Sequence, residues 1–171
     1  GDGMKAPERP PVRNRLDERL ERLAAEGRKA LVVYATSGDP APHLSGDVFR
    51  AALAGGADVV EIGVPFSDPT ADGPAIQAAS ERALAAGGGL RSALADSSDV
   101  RAAFPDAGIV LFGYANPYLA STRASLRLGG DPSAAVAPDA MAALVHEAGA
   151  DGVLCVDLPP EEDDALGPAL R

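Results

Sequence analysis

Apolar and polar residues along this chain follow two alternating patterns. Four short segments are almost continuously apolar, which is typical of strands buried on both faces of a parallel sheet. These segments are residues 30–36, 57–64, 108–114 and 151–157. Around them, apolar residues recur at helical spacing, and the predicted helices are residues 14–27, 44–55, 75–86, 90–104 and 139–148, with a further helix beginning at 161. Strands that alternate with helices form parallel sheets with right-handed crossovers, so the pattern predicts an α/β fold.

Local signals mark the ends of several elements. Gly27 stops the first helix, and Ser45 is predicted to cap the second. Residues 115–117 end the third strand. Residues 120–138 are rich in Ser, Ala, Gly and Pro without a clear period, so we expect a long loop or an insertion there.

The composition excludes several classes of protein. The chain has 171 residues, of which 46% are hydrophobic, and a formal net charge of −10. Residues 1–13 are predicted to be a flexible tail before one domain, residues 14–171. The acidic balance and the lack of a basic cluster argue against a nucleic-acid partner, and no run of about 18 apolar residues predicts a membrane helix. The single Cys155 forms no internal disulfide and no zinc spacing is present, so the cytoplasm is the default compartment.

One segment carries an unusual set of carboxylates. Glu61 interrupts an otherwise apolar strand, and Asp68 and Asp72 follow in a loop punctuated by proline and glycine. A buried glutamate is costly unless it is paired or neutralised, so its presence suggests a proton-transfer group. A structural carboxylate that accepts backbone N–H bonds is the alternative for Glu61. Asp68 and Asp72 have turn formation as their alternative.

Polar residues recur where the predicted strands end. These sites are Thr36 to Asp39, Glu61 to Asp72, Tyr114 to Asn116, and Asp157. In parallel α/β sheets functional groups gather at the carboxyl ends of strands, so these sites are expected to converge. Side chains alternate along a strand, so Gly63 shares a face with Glu61 and would leave space for a planar ligand.

Ordinary structural roles remain open for other candidate residues. Tyr34 and Tyr114 could pack with their hydroxyls at the rim. Asp157 could cap adjoining backbone, His43 and His146 are expected at the surface, and Cys155 is expected in the core.

Two helix-to-strand connections have the same sequence. Gly-Ala-Asp precedes the strand that contains Glu61 and also the strand that contains Asp157. Repeated units of this kind suit a (β/α) barrel, although a shared solution to a short connection explains the echo equally well.

Taken together, these residues resemble the alpha subunit family of tryptophan synthase. The resemblance rests on residues 36–40, 56–77, 113–117 and 149–162. Its central stretch, Glu-Ile-Gly-Val-Pro-Phe-Ser-Asp-Pro-Thr-Ala-Asp-Gly-Pro, is highly specific, and the family often has leucine at Thr70 and alanine or leucine at Ser37. The implied fold is the (β/α)8 TIM barrel, of which this chain supplies about four parallel strands and an N-terminal helix.

The resemblance implies a reaction and its residues. The family cleaves indole-3-glycerol phosphate to indole and glyceraldehyde 3-phosphate by a retro-aldol step, without a metal or organic cofactor. Glu61 aligns with the general acid/base, and Asp72 aligns with the carboxylate that binds the indole N–H. Tyr34 matches an aromatic residue of the indole pocket, and Gly63 and Tyr114 are further candidate substrate contacts.

The resemblance also implies a protein partner. Residues 65–72 match the loop that meets the beta subunit in an α2β2 complex, with Pro65, Phe66, Ser67 and Asp68 as candidate contacts. Asp157 matches a carboxylate that supports these loops.

A complete barrel of this kind takes roughly 250 residues. The family's phosphate site lies on later strands, and no Gly-rich strand end of that type occurs here. We expect a fragment of a longer product with little activity alone; a half barrel that self-associates and a non-catalytic remnant are the alternatives. A module that only docks a beta subunit also remains open. Indole-glycerol-phosphate synthase is disfavoured because that enzyme relies on a catalytic lysine, and Lys29 is the only lysine beside a strand.

Overall fold

A computed structural model describes residues 13–159 and 166–170 of the chain. The predicted N-terminal tail therefore lies outside the described residues except for Arg13, and so does the start of the helix predicted from residue 161.

Four parallel strands form one sheet in sequence order. They are β1 (Val32–Thr36), β2 (Val59–Gly63), β3 (Gly108–Gly113) and β4 (Gly152–Cys155). Each strand pairs with the next, so β1 and β4 are the edges of the described sheet. The strand order and the helical connections confirm the predicted α/β architecture.

Seven helices flank or connect these strands in the described residues. They are α1 (Arg15–Ala25), α2 (Ser45–Ala54), α3 (Pro74–Ala85), α4 (Leu90–Ala103), α5 (Ala115–Leu119), α6 (Pro138–Glu147) and α7 (Leu166–Leu170). Asn14 and Asp17 form a capping box at the start of α1, which satisfies backbone N–H groups there.

The predicted cap of α2 is wrong. Leu44 is the N-cap residue and makes no side-chain capping bond. The Ser45 hydroxyl instead donates to the carboxylate of Asp96, 2.7 Å away on α4. In a cap the serine oxygen would accept from a backbone N–H of the first turn, whereas here the hydroxyl donates to a buried carboxylate on a neighbouring helix.

The two faces of the sheet have different neighbours. Val60, Ile62, Ile109 and Leu111 are fully buried in the main hydrophobic core with Phe49 of α2 and Val100 of α4. Residues of the opposite phase, which include Tyr34, Glu61 and Phe112, point to the other face. This second face is called the inner face of the sheet. Helix α1 contacts it at the amino end of the strands, where Leu16 lies against Gly108, the first residue of β3.

The repeated Gly-Ala-Asp sequence has a structural basis. Asp58 accepts a hydrogen bond from the Leu31 N–H at 2.9 Å, and Asp151 accepts one from the Ile109 N–H at 2.9 Å. Each aspartate therefore ties the start of its own strand to the start of the preceding strand. The repeated sequence therefore reflects one way of anchoring a strand to the preceding strand.

Residues 121–137 fold back on themselves between α5 and α6. Thr122 and Ala135 form an antiparallel bridge, and the Val136 N–H donates to the Ser121 carbonyl at 2.9 Å. Leu126 and Val136 are buried in the main core, so this segment is anchored by its own apolar residues.

Candidate active site at the carboxyl ends of the strands

Glu61 lies in the middle of β2 and points away from the core that α2 and α4 share with the sheet. It is in register with Tyr34 of β1 and Val110 of β3 on the inner face, whereas its neighbours Val60 and Ile62 face the core. The side chain is partly buried. No hydrogen bond or ion pair joins its carboxylate to any other residue in the described parts of the chain. Glu61 is therefore available to a ligand on the inner face.

Tyr34 forms a wall beside this carboxylate. Its ring meets the ring of Phe112 edge to face, with centroids 5.3 Å apart and an interplanar angle of 77°. Its hydroxyl lies 3.3 Å from the Thr36 hydroxyl. Burial raises the pKa of the Tyr34 phenol, and the charges of Asp72 and Glu61 raise it further. Both carboxylates are therefore within electrostatic reach of this phenol.

The expected gap beside Gly63 is filled. A Cβ atom built on Gly63 would lie 2.3 Å from the Tyr34 hydroxyl and 2.6 Å from its Cζ. The prediction that Gly63 leaves open room for a planar ligand is therefore wrong. The phenol of β1 leans across to the end of β2, and Gly63 contributes to the site by letting it lie there.

Tyr114 connects the end of β3 to the loop that carries Asp72. Its hydroxyl accepts a hydrogen bond from the Ala71 N–H at 2.9 Å and bonds the Asp72 carboxylate. Burial raises the pKa of the Asp72 carboxyl group, and the bond from Tyr114 partly offsets that effect. Phe66 packs on the same tyrosine with ring centroids 5.2 Å apart. One phenol therefore orients both the loop and its carboxylate.

The loop itself is closed by short internal bonds. The Thr70 N–H donates to the Asp68 carbonyl at 2.9 Å, and the Asp72 N–H donates to the Pro69 carbonyl at 3.1 Å. Gln77 of α3 donates to the Asp72 carbonyl at 2.9 Å.

Burial divides the loop residues into two groups. Pro65 is buried and Phe66 is half-buried, whereas Ser67 and Asp68 are exposed. The first residues of the loop consequently pack inward, and the tip of the loop faces outward.

Asp157 lies beyond the end of β4 and is exposed. Its carboxylate accepts a hydrogen bond from the Ala115 N–H at 2.8 Å, at the start of α5. Its charge also raises the pKa of Tyr114, after burial and Asp72. Asp157 therefore reaches the site only through the segment that carries Tyr114.

Sequence reasoning missed Phe112 as a site residue. The signal was available, because Phe112 stands two positions after Val110 and so shares its face, but it lay within an apolar run. His43 and His146 are exposed, as predicted. Cys155 is half-buried against the core rather than fully inside it.

No group of three or more His, Cys, Asp or Glu side chains in the described residues could hold a metal ion, and no helix there is long and apolar enough to cross a membrane. A cavity of about 1230 Å³ runs along β4 between α1, α6 and α7. None of Glu61, Asp72, Tyr34 and Tyr114 lines it.

Comparison with known proteins identifies the family. The family model of the tryptophan synthase alpha chain matches residues 20–171, a region that contains every candidate residue above. The chain belongs to the tryptophan synthase alpha chain family.

Curated relatives in this family are about half identical to the chain over the residues that align. The tryptophan synthase alpha chain of Rhizorhabdus wittichii is 50% identical over 157 residues, which are 92% of this chain and 52% of that protein. The alpha chain of Novosphingobium aromaticivorans is 48% identical over 153 residues, with coverages of 90% and 52%. The chain therefore spans about half the length of the curated relatives it matches.

Solved tryptophan synthase alpha structures share the fold. The alpha subunit from Legionella pneumophila matches with a TM-score of 0.78 and 39% identity, over 93% of this chain and 55% of that chain. Tryptophan synthase from Mycobacterium tuberculosis, in its open form, matches with a TM-score of 0.77 and 32% identity, over 92% and 56%. These matches place the four-strand sheet within the tryptophan synthase alpha TIM barrel.

Proposed function

We propose that this chain carries the acid/base portion of a lyase that cleaves indole-3-glycerol phosphate to indole and glyceraldehyde 3-phosphate. The observation that carries the proposal is the placement of Glu61, a carboxylate without a partner among the described residues, on the inner face beside Tyr34. Membership of the tryptophan synthase alpha chain family supports it.

The proposed chemistry assigns one role to each carboxylate. Glu61, as an acid, protonates indole C3 to give a cationic indolenine, and the resulting carboxylate removes the proton of the glycerol hydroxyl next to the bond that breaks. That C–C bond then cleaves, its electrons return to the ring, and indole and the aldehyde separate. Asp72 accepts the indole N–H and stabilises the positive charge as it develops.

The surroundings suit these roles. Tyr34 and Phe112 offer an aromatic wall for an indole ring, and Tyr114 holds Asp72 toward the same space. No cation pairs with Glu61 in the described parts of the chain, so the proposed proton exchange with a substrate would break no ion pair there.

The role of Glu61 is tested in a complete barrel. The chain would be joined to the remaining half of the Rhizorhabdus wittichii relative, and indole release would be measured. Glu61→Gln should lower kcat by about 10²–10⁴-fold, the range for loss of a general acid/base. Glu81→Gln on the exposed side of α3 is the matched control. A near-normal rate for Glu61→Gln would exclude Glu61 as the acid/base.

We expect the 171 residues alone to show little cleavage. In TIM barrels the phosphate group is commonly held by loops after the seventh and eighth strands, and the described sheet has four. Robust turnover by the purified chain would contradict this expectation.

A second proposed function is docking of a beta subunit through the loop of residues 65–72. The exposure of Ser67 and Asp68 at the loop tip favours it, as does the support that Tyr114 gives the loop from below. Capture of a tryptophan synthase beta subunit should be weakened by Asp68→Ala and unaffected by Asp106→Ala, an exposed aspartate between α4 and β3. Equal capture by all three proteins would remove the loop tip from the interface.

A further inference from the structure

Asp96 is a buried carboxylate in the middle of α4 that the proposed chemistry does not use. It is 5% exposed, and no ion pair joins it to an arginine or lysine in the described residues. Its Oδ2 accepts hydrogen bonds from the hydroxyls of Ser37 and Ser45, each at 2.7 Å. Both serines are fully buried. Two neutral hydroxyls are thus the bonded partners of this buried acid.

The charges that face Asp96 come from two helices. Arg50 of α2 lowers its pKa, and Asp99 of α4 raises it. Arg50 also pairs with Asp47. Burial is the largest influence and leaves the pKa of Asp96 raised. Burial therefore favours the protonated form of Asp96 more than water does, although the two serine hydroxyls oppose this effect.

The bonds of Asp96 lead to the candidate site. Ser37 directly follows Thr36, the last residue of β1, and its backbone N–H donates to the Gly63 carbonyl at 2.8 Å. Gly63 ends β2, two residues after Glu61 on the same face, and supports the Tyr34 ring. A carboxylate on α4 therefore bonds Ser37, the residue whose backbone links the end of β1 to the end of β2.

We propose that Asp96 is a positioning residue of the candidate site, which acts through Ser37 to fix the ends of β1 and β2. It touches neither substrate nor reacting atoms. Its loss changes where Tyr34 and Glu61 stand relative to each other. This positioning role depends on the proposed function in one respect only, which is that indole is taken as the ligand of the site.

The first experiment needs no ligand. Amide resonances of Ser37 and Gly63 would be followed by NMR in the folded 171-residue chain as the pH is lowered. We expect both to shift in one shared step with a midpoint above the ordinary aspartate value of about 3.9. Asp96→Asn, which still accepts from both serines, should abolish the step. A wild-type chain without such a step, or a step that survives in Asp96→Asn, would overturn the proposal.

Ser97→Ala is the matched control for a purely structural effect. Ser97 is fully buried on the same helix, but its hydroxyl donates to the Ala148 carbonyl at 2.9 Å, on the side of α4 that faces α6. Its loss should lower the melting temperature and leave the pH step of Ser37 and Gly63 unchanged.

The second experiment uses indole as the probe. Asp96→Ala and Ser37→Ala should each raise the dissociation constant for indole by at least about five-fold, the lower end of coupling through a contact network. Asp96→Asn should restore most of the affinity, and Ser97→Ala should keep it. Equal weakening by Ser97→Ala and Asp96→Ala would reduce Asp96 to structural support. Binding is measured in the complete barrel used to test Glu61. If the wild-type barrel bound no indole, the proposed function would fail, and the amide titration alone would decide the role of Asp96.

Discussion

Two aspartates at the amino ends of the strands and two carboxylates at the carboxyl ends have different kinds of partner. At the amino ends of the strands, Asp58 and Asp151 are buried and bonded to arginines and backbone N–H groups. At the carboxyl ends, Glu61 has no such partner in the described residues, and Asp72 is bonded by the neutral hydroxyl of Tyr114. Asp58 and Asp151 use their negative charge to hold the fold together, whereas Glu61 and Asp72 have no cationic partner in the described residues, as expected for barrels that place function at the carboxyl end.

The amino end is organised by α1 and by the end of α4. Arg19 of α1 donates to Asp58 at 2.6 Å, and Arg15 lies 3.2 Å from Asp151. Arg101 of α4 donates to Asp151 at 2.7 Å. Helix α1 therefore contacts both anchoring aspartates. Charge pairs of this kind are costly to break because a lone buried charge remains.

The largest expected effect is on stability at the amino end. Asp58→Ala should lower the free energy of unfolding by about 3–5 kcal/mol, because Arg19 and the Leu31 N–H lose their buried partner. Glu61→Gln should change it by no more than about 0.5 kcal/mol. Urea unfolding of both variants measures the difference. Similar losses in the two variants would break the comparison between the ends.

A smaller effect is expected from the Tyr114 hydroxyl. Tyr114→Phe leaves the Ala71 N–H without its acceptor and should cost about 1–3 kcal/mol. Hydrogen exchange at Ala71 should become faster. Tyr118→Phe is the control, because the Tyr118 hydroxyl is buried without a hydrogen-bond partner in the described structure, so its removal should be neutral or stabilising. Equal losses would show that Tyr114 acts by burial alone.

The smallest effect is a pH dependence of opposite sign at the two ends. The Leu31 N–H and Arg19 hold the pKa of Asp58 below its ordinary value, so its contribution to stability is full above about pH 4 and is lost as the pH falls toward the folded pKa. Burial raises the pKa of Asp72, so its ionisation opposes folding and acidification through that pKa relieves the cost.

Unfolding free energies between pH 7 and about pH 3 would measure both contributions. The stability gap between wild type and Asp58→Asn should shrink on acidification, whereas wild type should gain relative to Asp72→Asn. Parallel changes in both comparisons would contradict the opposite signs.

Most of the architecture could be predicted because the strands are mostly apolar on both faces and the apolar residues of the helices recur at helical spacing. The face of Glu61 followed from simple alternation along β2. The filled space at Gly63 could not be predicted, because it depends on how a phenol of the neighbouring strand leans. The predicted Ser45 cap was wrong for a similar reason, since the Ser45 hydroxyl donates to Asp96, a residue far along the sequence. The short helix α5 was also unforeseen, because its proline suggested only an end to β3.

The contact between Tyr34 and Gly63 makes these two positions a size-complementary pair. A methyl group added at position 63 would collide with the phenol, whatever the backbone geometry allows. Homologues that carry a side chain at position 63 should therefore have a smaller residue at position 34, and a change at either position should be tolerated best when both are exchanged together.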